Sequence, residues 1–326
     1  MTTAITWNGV MPAITTPFTA DGDVDHAFLA AHARWMLDAG CTGIVALGSL
    51  GEAATLSAGE KLDVLRTLAR ALDGRTPRAP LVAGIAALST DEACGLAREA
   101  AAIGCSGLMV LPPYVYSTDW REMRAHVAAV IDATALPCML YNNPIAYRTD
   151  FRPEHVVELA QAHANLVAIK ESSADVRRVT AIRHALGDRL KILVGVDDLI
   201  VEGIEAGATG WVAGLVNAMP VESVRLFELA SRGKSDAAAK ARVARSNSRT
   251  DSAGIALTRP ATQPVAPAAM PSTIRSSTPT RISSRSPSAW RIAAMRRMSA
   301  LDSFTASRLP WACASSATCS GLKSVR

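Results

Sequence analysis

Between Gly9 and Gly233 the sequence alternates, eight times over, between a short apolar run and a longer segment with helical spacing. The apolar runs fall near residues 10–16, 43–48, 81–86, 107–112, 137–142, 166–171, 190–195 and 210–214. The helical segments fall near 25–39, 57–73, 89–103, 118–133, 153–163, 175–186, 198–206 and 220–232. Several of these open on a polar cap: Ser57 with Glu60 three later, Ser89 with Glu92, Thr118 with Arg121. Gly40, Gly74, Gly104, Gly187 and Gly207 stand where helices should stop. Strands that alternate with helices must pair in parallel, because each return to the sheet crosses it through a helix. Eight units in about 225 residues predict an α/β fold, the (β/α)8 TIM barrel. A doubly wound open sheet is the competing fold, but no G-x-G-x-x-G follows the first strand.

Three of the predicted strands end in a chemical group. Leu166-Val-Ala-Ile-Lys170 closes on a lysine, Pro137-Cys-Met-Leu-Tyr141 on a tyrosine, and Gly43-Ile-Val-Ala-Leu-Gly48 runs into Ser49-Leu-Gly-Glu52. In a barrel the C-terminal strand ends share one face, so Ser49, Tyr141 and Lys170 are expected in one site. An ammonium group is costly to bury, which favours a neutral amine at Lys170 and makes it a candidate nucleophile for a ketone. Read alone, Lys170 could equally snorkel from a strand end, Tyr141 could be a core tyrosine, and the Gly48–Glu52 loop any tight turn.

Composition changes near residue 241. Residues 1–240 hold 21 Lys and Arg against 27 Asp and Glu, whereas residues 241–326 hold 13 against 2, so a net −6 meets a net +11 in a chain of +5. The last segment has 17 Ser, 16 Ala, 12 Arg and 8 Thr, one Lys and no Glu. It keeps no helical or alternating period for long. The expected organisation is a barrel over 1–233 and a C-terminal segment over 234–326. That segment comprises the remnant of a helical region, then a low-complexity tail. Disorder, translation in a shifted frame of a GC-rich gene, and nucleic-acid binding are its three readings. Few aromatics and one lysine count against nucleic acid as a partner.

The cysteines Cys41, Cys94, Cys105, Cys138, Cys313 and Cys319 form no CxxC or Cys/His cluster, which indicates neither a zinc site nor a disulfide framework. No basic region followed by an apolar core opens the chain, and no apolar run reaches membrane-spanning length. A cytoplasmic protein with no membrane partner is the expectation.

Taken in order, several motifs resemble one family, the Schiff-base lyases related to dihydrodipicolinate synthase and N-acetylneuraminate lyase. They are Gly9-Val-Met-Pro-Ala-Ile-Thr-Thr-Pro-Phe18, Gly48-Ser-Leu-Gly-Glu52, Leu111-Pro-Pro-Tyr114, Tyr141-Asn-Asn-Pro144, Ile169-Lys-Glu171 and Gly195-Val-Asp-Asp198. The resemblance covers residues 7 to about 240. It implies that Lys170 forms an imine with a 2-oxo acid and that Tyr141 shuttles protons. Ser49 would supply the relay hydroxyl and part of a carboxylate pocket. Tyr114, with Tyr116 as a nearby competitor, would reach across a homodimer or homotetramer interface. Gly48, Leu50, Gly195, Asp197 and Val212 would line the substrate. No metal or external cofactor is implied.

Two departures bear on substrate. Leu50 stands where the family commonly has a second hydroxyl. Ala146 stands where the synthase branch has an arginine for the second substrate's carboxylate, with Tyr147 and Arg148 following. On these grounds the expectation is a lyase acting on a small hydroxylated 2-oxo acid or cyclic imine, by aldol cleavage or condensation or by dehydration–deamination. Synthesis of 4-hydroxy-tetrahydrodipicolinate from pyruvate and aspartate semialdehyde is the runner-up. An inactive or misfolded product is the reading of another class. Asp197 and Asp198 fit either hydroxyl contacts or a capped helix start. Glu171 is expected to be structural, and the six histidines are given no role.

Overall fold

The computed structural model describes residues 5–75, 78–113 and 119–233. Tyr114, Tyr116, Thr118 and the whole C-terminal segment from 234, with the readings attached to them, lie outside the described residues.

Eight strands pair in parallel: β1 (Gly9–Pro12), β2 (Ile44–Ala46), β3 (Leu81–Ile85), β4 (Gly107–Val110), β5 (Cys138–Asn142), β6 (Leu166–Glu171), β7 (Lys191–Val194) and β8 (Gly210–Ala213). The order is β1-β8-β7-β6-β5-β4-β3-β2. The two ends of that sheet meet through an Ala13–Val45 bridge, with Ile14 N donating to Val45 O at 2.9 Å and Thr42 N to Val10 O at 2.8 Å. The result is the expected TIM barrel.

Helices α1 (His26–Asp38), α2 (Ala58–Leu72), α3 (Thr90–Ile103) and α4 (Trp120–Asp132) follow the first four strands. After β5 come two helices, a single turn α5 (Pro144–Tyr147) and then α6 (Pro153–Ala162). Helices α7 (Val176–Leu186), α8 (Ile200–Glu205) and α9 (Pro220–Ser231) complete the ring. The predicted caps at Ser57 and Ser89 form. Ser57 and Glu60 make a reciprocal capping box, an arrangement whose N-cap alone contributes about 1 kcal/mol. The cap of α4 is Asp119 rather than Thr118, because its carboxylate accepts from Arg121 N at 2.8 Å. The strands are shorter than the apolar runs, since those runs also supply the buried loop residues that enter the site.

Side chains alternate across each strand, and the alternation sorts the core into two layers. Met11, Ala13, Val45, Val82, Met109, Met139, Ala168, Leu193 and Val212 point into the barrel. Val10, Ile44, Leu140, Ile169, Ile192 and Trp211 point outward against the helices. Each fully buried aliphatic side chain contributes about 1.5–3 kcal/mol. Trp7, 3% exposed, joins the inner layer just ahead of β1. Two residues beyond Met139 and Ala168, the same alternation brings Tyr141 and Lys170 to the inside.

Candidate active site

Lys170 and Tyr141 are direct neighbours in the β5–β6 register. Both are buried, at 6% and 3% exposure. Lys170 Nζ lies 4.2 Å from the centroid of the Tyr141 ring, over its face. Asn143 Nδ2 donates to Tyr141 Oη at 3.0 Å, and Ser49 Oγ lies 3.5 Å from the same oxygen. Burial pushes the Tyr141 phenol up, but the adjacent Lys170 charge and hydrogen bonds from Ser49, Asn143 and Lys170 outweigh it. The phenol is held below its ordinary 10.0. A phenol in that state gives up a proton more readily than one in water.

Ser49 reaches the site because the chain bends sharply after β2. Leu47 is left-handed, at φ 57°, and fully buried. That conformation is costly for leucine and persists only where the surroundings enforce it. Gly84 on β3 makes room: a Cβ there would collide with the Leu47 carbonyl. The turn then closes with Gly51 N donating to Gly48 O at 3.0 Å. Gly48 packs toward the barrel interior, where a Cβ would come 3.2 Å from Met109 Cε, and Leu50 rests on the inner apolar layer. Val212 also lies in that layer.

Gly195 faces Lys170 at the end of β7. A Cβ there would sit 2.8 Å from Lys170 Cε and would collide with Ser172 Oγ. Only glycine leaves the lysine its path. Ser172 itself escaped the sequence reading. It is 3% exposed, its hydroxyl has no hydrogen-bond partner, and it stands two residues past Lys170. The signal was the strand period, which points residue 172 to the same side as 170 if the chain stays extended.

Asp197 is held by donors from β8 and the turn that follows it. Its Oδ1 accepts from the Trp211 indole at 3.1 Å and from Gly214 N at 3.2 Å, and its Oδ2 accepts from Leu215 N at 2.8 Å. Trp211 points to the outer layer, so this carboxylate clamps the turn after β8. Asp198 does not cap α8: Leu199 holds that position, with no side-chain cap. Ala146 and Arg148 are exposed, and Arg148 ends α5 in a left-handed conformation at φ 57°.

Glu171 and Asn142 form the outward pair next in register. Asn142 Nδ2 donates to Glu171 Oε2 at 3.0 Å, Phe151 N donates to Asn142 Oδ1 at 3.0 Å, and Ser173 N donates to Glu171 Oε1 at 2.7 Å. Burial raises the Glu171 carboxyl above its ordinary 4.5 despite those bonds. Among the described residues no group of three or more His, Cys, Asp or Glu is placed to hold a metal ion. No described helix is long and apolar enough to cross a membrane.

The parallel barrel thus sets a lysine and a tyrosine face to face inside its C-terminal rim. The model of the Dihydrodipicolinate synthetase family matches residues 6–247, and the chain belongs to that family. It is 37% identical over 233 residues to a 4-hydroxy-tetrahydrodipicolinate synthase of Xanthomonas axonopodis pv. citri, covering 71% of this chain and 76% of the relative. A synthase of the same name from Natronomonas pharaonis is 35% identical over 229 residues, 70% and 76% of the two chains. Among solved structures, the 4-hydroxy-tetrahydrodipicolinate synthase of Methylacidiphilum fumariolicum SolV superposes with TM-score 0.68 at 31% identity, covering 72% and 77%. A prophage protein of the dihydrodipicolinic acid synthase family from E. coli K12, in complex with pyruvate, gives 0.69 at 29%, covering 73% and 80%. The chain is thus a lyase of this family. Its relatives favour the runner-up of the sequence reading over the main expectation, aldol chemistry or dehydration–deamination of a small hydroxylated substrate.

Proposed function

We propose that this chain forms a Schiff base between Lys170 and pyruvate, or a closely related 2-oxo acid, and condenses the resulting enamine with an aldehyde. The name borne by its relatives at about 35% identity supports the condensing half. The observation that carries the first half is the buried Lys170–Tyr141 pair, with Nζ 4.2 Å from the ring centroid.

The neutral amine adds to the keto carbon, and a proton passes from nitrogen to the former carbonyl oxygen, giving a carbinolamine. A second proton, supplied by the Tyr141 phenol, lets that oxygen leave as water, and the iminium remains. The iminium draws electrons from the neighbouring carbon, whose proton returns to Tyr141 as the enamine forms. Enamine carbon then attacks the aldehyde carbon, and the aldehyde oxygen takes up a proton. Water finally hydrolyses the imine and frees Lys170.

The exposed Ala146 keeps a second reading in play, because no cation stands there to bind a second carboxylate. Borohydride reduction in the presence of pyruvate is expected to place a stable added mass on the peptide that carries Lys170, and Lys170→Ala should abolish both adduct and turnover. An adduct on Lys61 or Lys191 would refute the assignment. Aspartate semialdehyde then separates the two second halves. Its consumption supports condensation, and its failure, with pyruvate still trapped, turns the choice to dehydration or deamination of a hydroxylated 2-oxo acid.

A further inference from the structure

Asn143 has two tasks. Its Nδ2 donates to Tyr141 Oη at 3.0 Å, and its Oδ1 accepts from Ala146 N at 3.1 Å as the cap of α5. Its own carbonyl accepts from Tyr147 N at 3.0 Å, and Pro144 holds the first helical position. The backbone N–H of Ala146 can only donate, so the amide must turn its oxygen to the helix and its nitrogen to the phenol. The turn of α5 thereby locks a donor onto Tyr141.

A donor that cannot become an acceptor acts in one direction. It binds the oxygen more strongly once the phenol proton has left, because a hydrogen bond to a charged oxygen is the stronger kind. The other polar groups facing Tyr141 are less constant. Ser49 rotates between donor and acceptor, and Lys170, from β6, gives up N–H bonds when its nitrogen joins the keto carbon. Tyr147, from α5, meets the Tyr141 ring edge to face with centroids 5.8 Å apart, and its hydroxyl is hydrogen-bonded to Ser49. Glu171 lies on the other face of β6, Arg148 past the turn is exposed, and β4 sends in the apolar Met109 and Leu111.

We propose that Asn143 is a positioning residue for Tyr141: its amide, locked by the α5 turn, is the fixed donor that holds the phenol oxygen while its proton is on the substrate. The proposal rests on the Schiff-base reading and adds to it what steadies the proton-transfer group.

The test uses the full chain with pyruvate as probe. Asn143→Asp keeps an oxygen for Ala146 N, so α5 stays capped, but puts an acceptor where the donor was. Asn143→Leu removes both. Three quantities are followed: the rate of borohydride trapping on Lys170 across pH, the melting temperature, and the ionisation midpoint of Tyr141, read as the ultraviolet difference from a matching Tyr141→Phe chain. Both variants should slow trapping roughly 10–10²-fold, the worth of a hydrogen bond to a charged group. Both should raise the Tyr141 midpoint, and the alkaline limb of the trapping profile with it, by about one pH unit or more. Asn143→Asp should melt close to the parent and Asn143→Leu below it. An Asn143→Asp chain with the parent's rate overturns the proposal, because the residue then serves only the turn. So does a slowed variant whose midpoint stays in place. If the unmodified chain itself traps nothing, the Schiff-base reading falls and the assignment falls with it, whereas trapping with an unmoved midpoint brings down the assignment alone.

Discussion

The two faces of the β5–β6 pair, one residue apart in register, do opposite work. Inside the barrel Tyr141 faces Lys170, and in the proposed mechanism both groups change protonation during a turnover. Outside, Asn142 faces Glu171 in a set of hydrogen bonds that has no such task. The outer pair joins a further ion pair, since Arg178 Nη2 donates to Asp150 Oδ2 at 2.9 Å and the Arg178 charge also acts on Glu171. The difference teaches that reactive and fixed groups can share a strand, provided the pleat sends them to different sides. The fixed side holds the height of one strand against the other, and that height sets where the phenol meets the amine.

Removing the reactive side alone should have the largest effect on rate. Tyr141→Phe keeps the ring in the inner layer and loses only the hydroxyl, so turnover should fall roughly 10²–10⁴-fold with little change in melting temperature. Near-parent turnover would take Tyr141 out of the chemistry and erase the contrast between the faces.

Breaking the fixed side should show in stability first. Asn142→Ala leaves Glu171 Oε2 and Phe151 N without their partner in a buried place, at a cost of about 1–3 kcal/mol for each group left unmade. Denaturant melts read that loss. Turnover should also fall, by up to about 10²-fold, because a displacement of 1 Å at reacting groups costs about that much. Full turnover in a destabilised variant would show that the outer pair holds the fold and not the geometry of the site.

Asp150→Asn should have the smallest effect, and a pH-dependent one. The Arg178 guanidinium, through its hydrogen bonds and its charge, holds the Asp150 carboxyl below its ordinary 3.8. A carboxyl lowered on folding stabilises the native state above its unfolded value, and that gain is lost as pH falls through the folded one. Asp150 is partly exposed, so the loss at neutral pH should stay below about 1 kcal/mol and vanish in acid. Glu171 runs the other way: its carboxyl is raised, so its ionisation weighs against the fold as pH climbs past 4.5. Melting curves of Asp150→Asn and the parent that stay equally far apart at pH 3 and pH 7 would contradict the assignment.

The barrel was legible because eight apolar runs and their helices are a periodic signal, and Lys170 and Tyr141 because a polar group ending an apolar run has few other reasons to be there. Ser49 was legible through its flanking glycines. What stayed hidden depends on turns shorter than any period. Tyr147 is brought over Ser49 by the one turn of α5, and its only local mark was Asn143-Pro144, a cap followed by a proline at the first helical position. Asp197 kept its donors hidden for a related reason. Its partner, Trp211, is 14 residues away on the next strand, and a carboxylate in a loop carries no sign of which distant donor will claim it.

The bare backbone at Gly195 has a consequence for the lysine's reach. In the proposed mechanism the carbon joined to Nζ passes from tetrahedral to planar, and the space over residue 195 is part of the room in which the side chain can follow it. A methyl group there would press on the shaft at Cε and Cγ, 2.8 and 3.0 Å away. In effect, any larger residue at 195 would be an inhibitor written into the gene, occupying the nucleophile's own stroke rather than the substrate's seat.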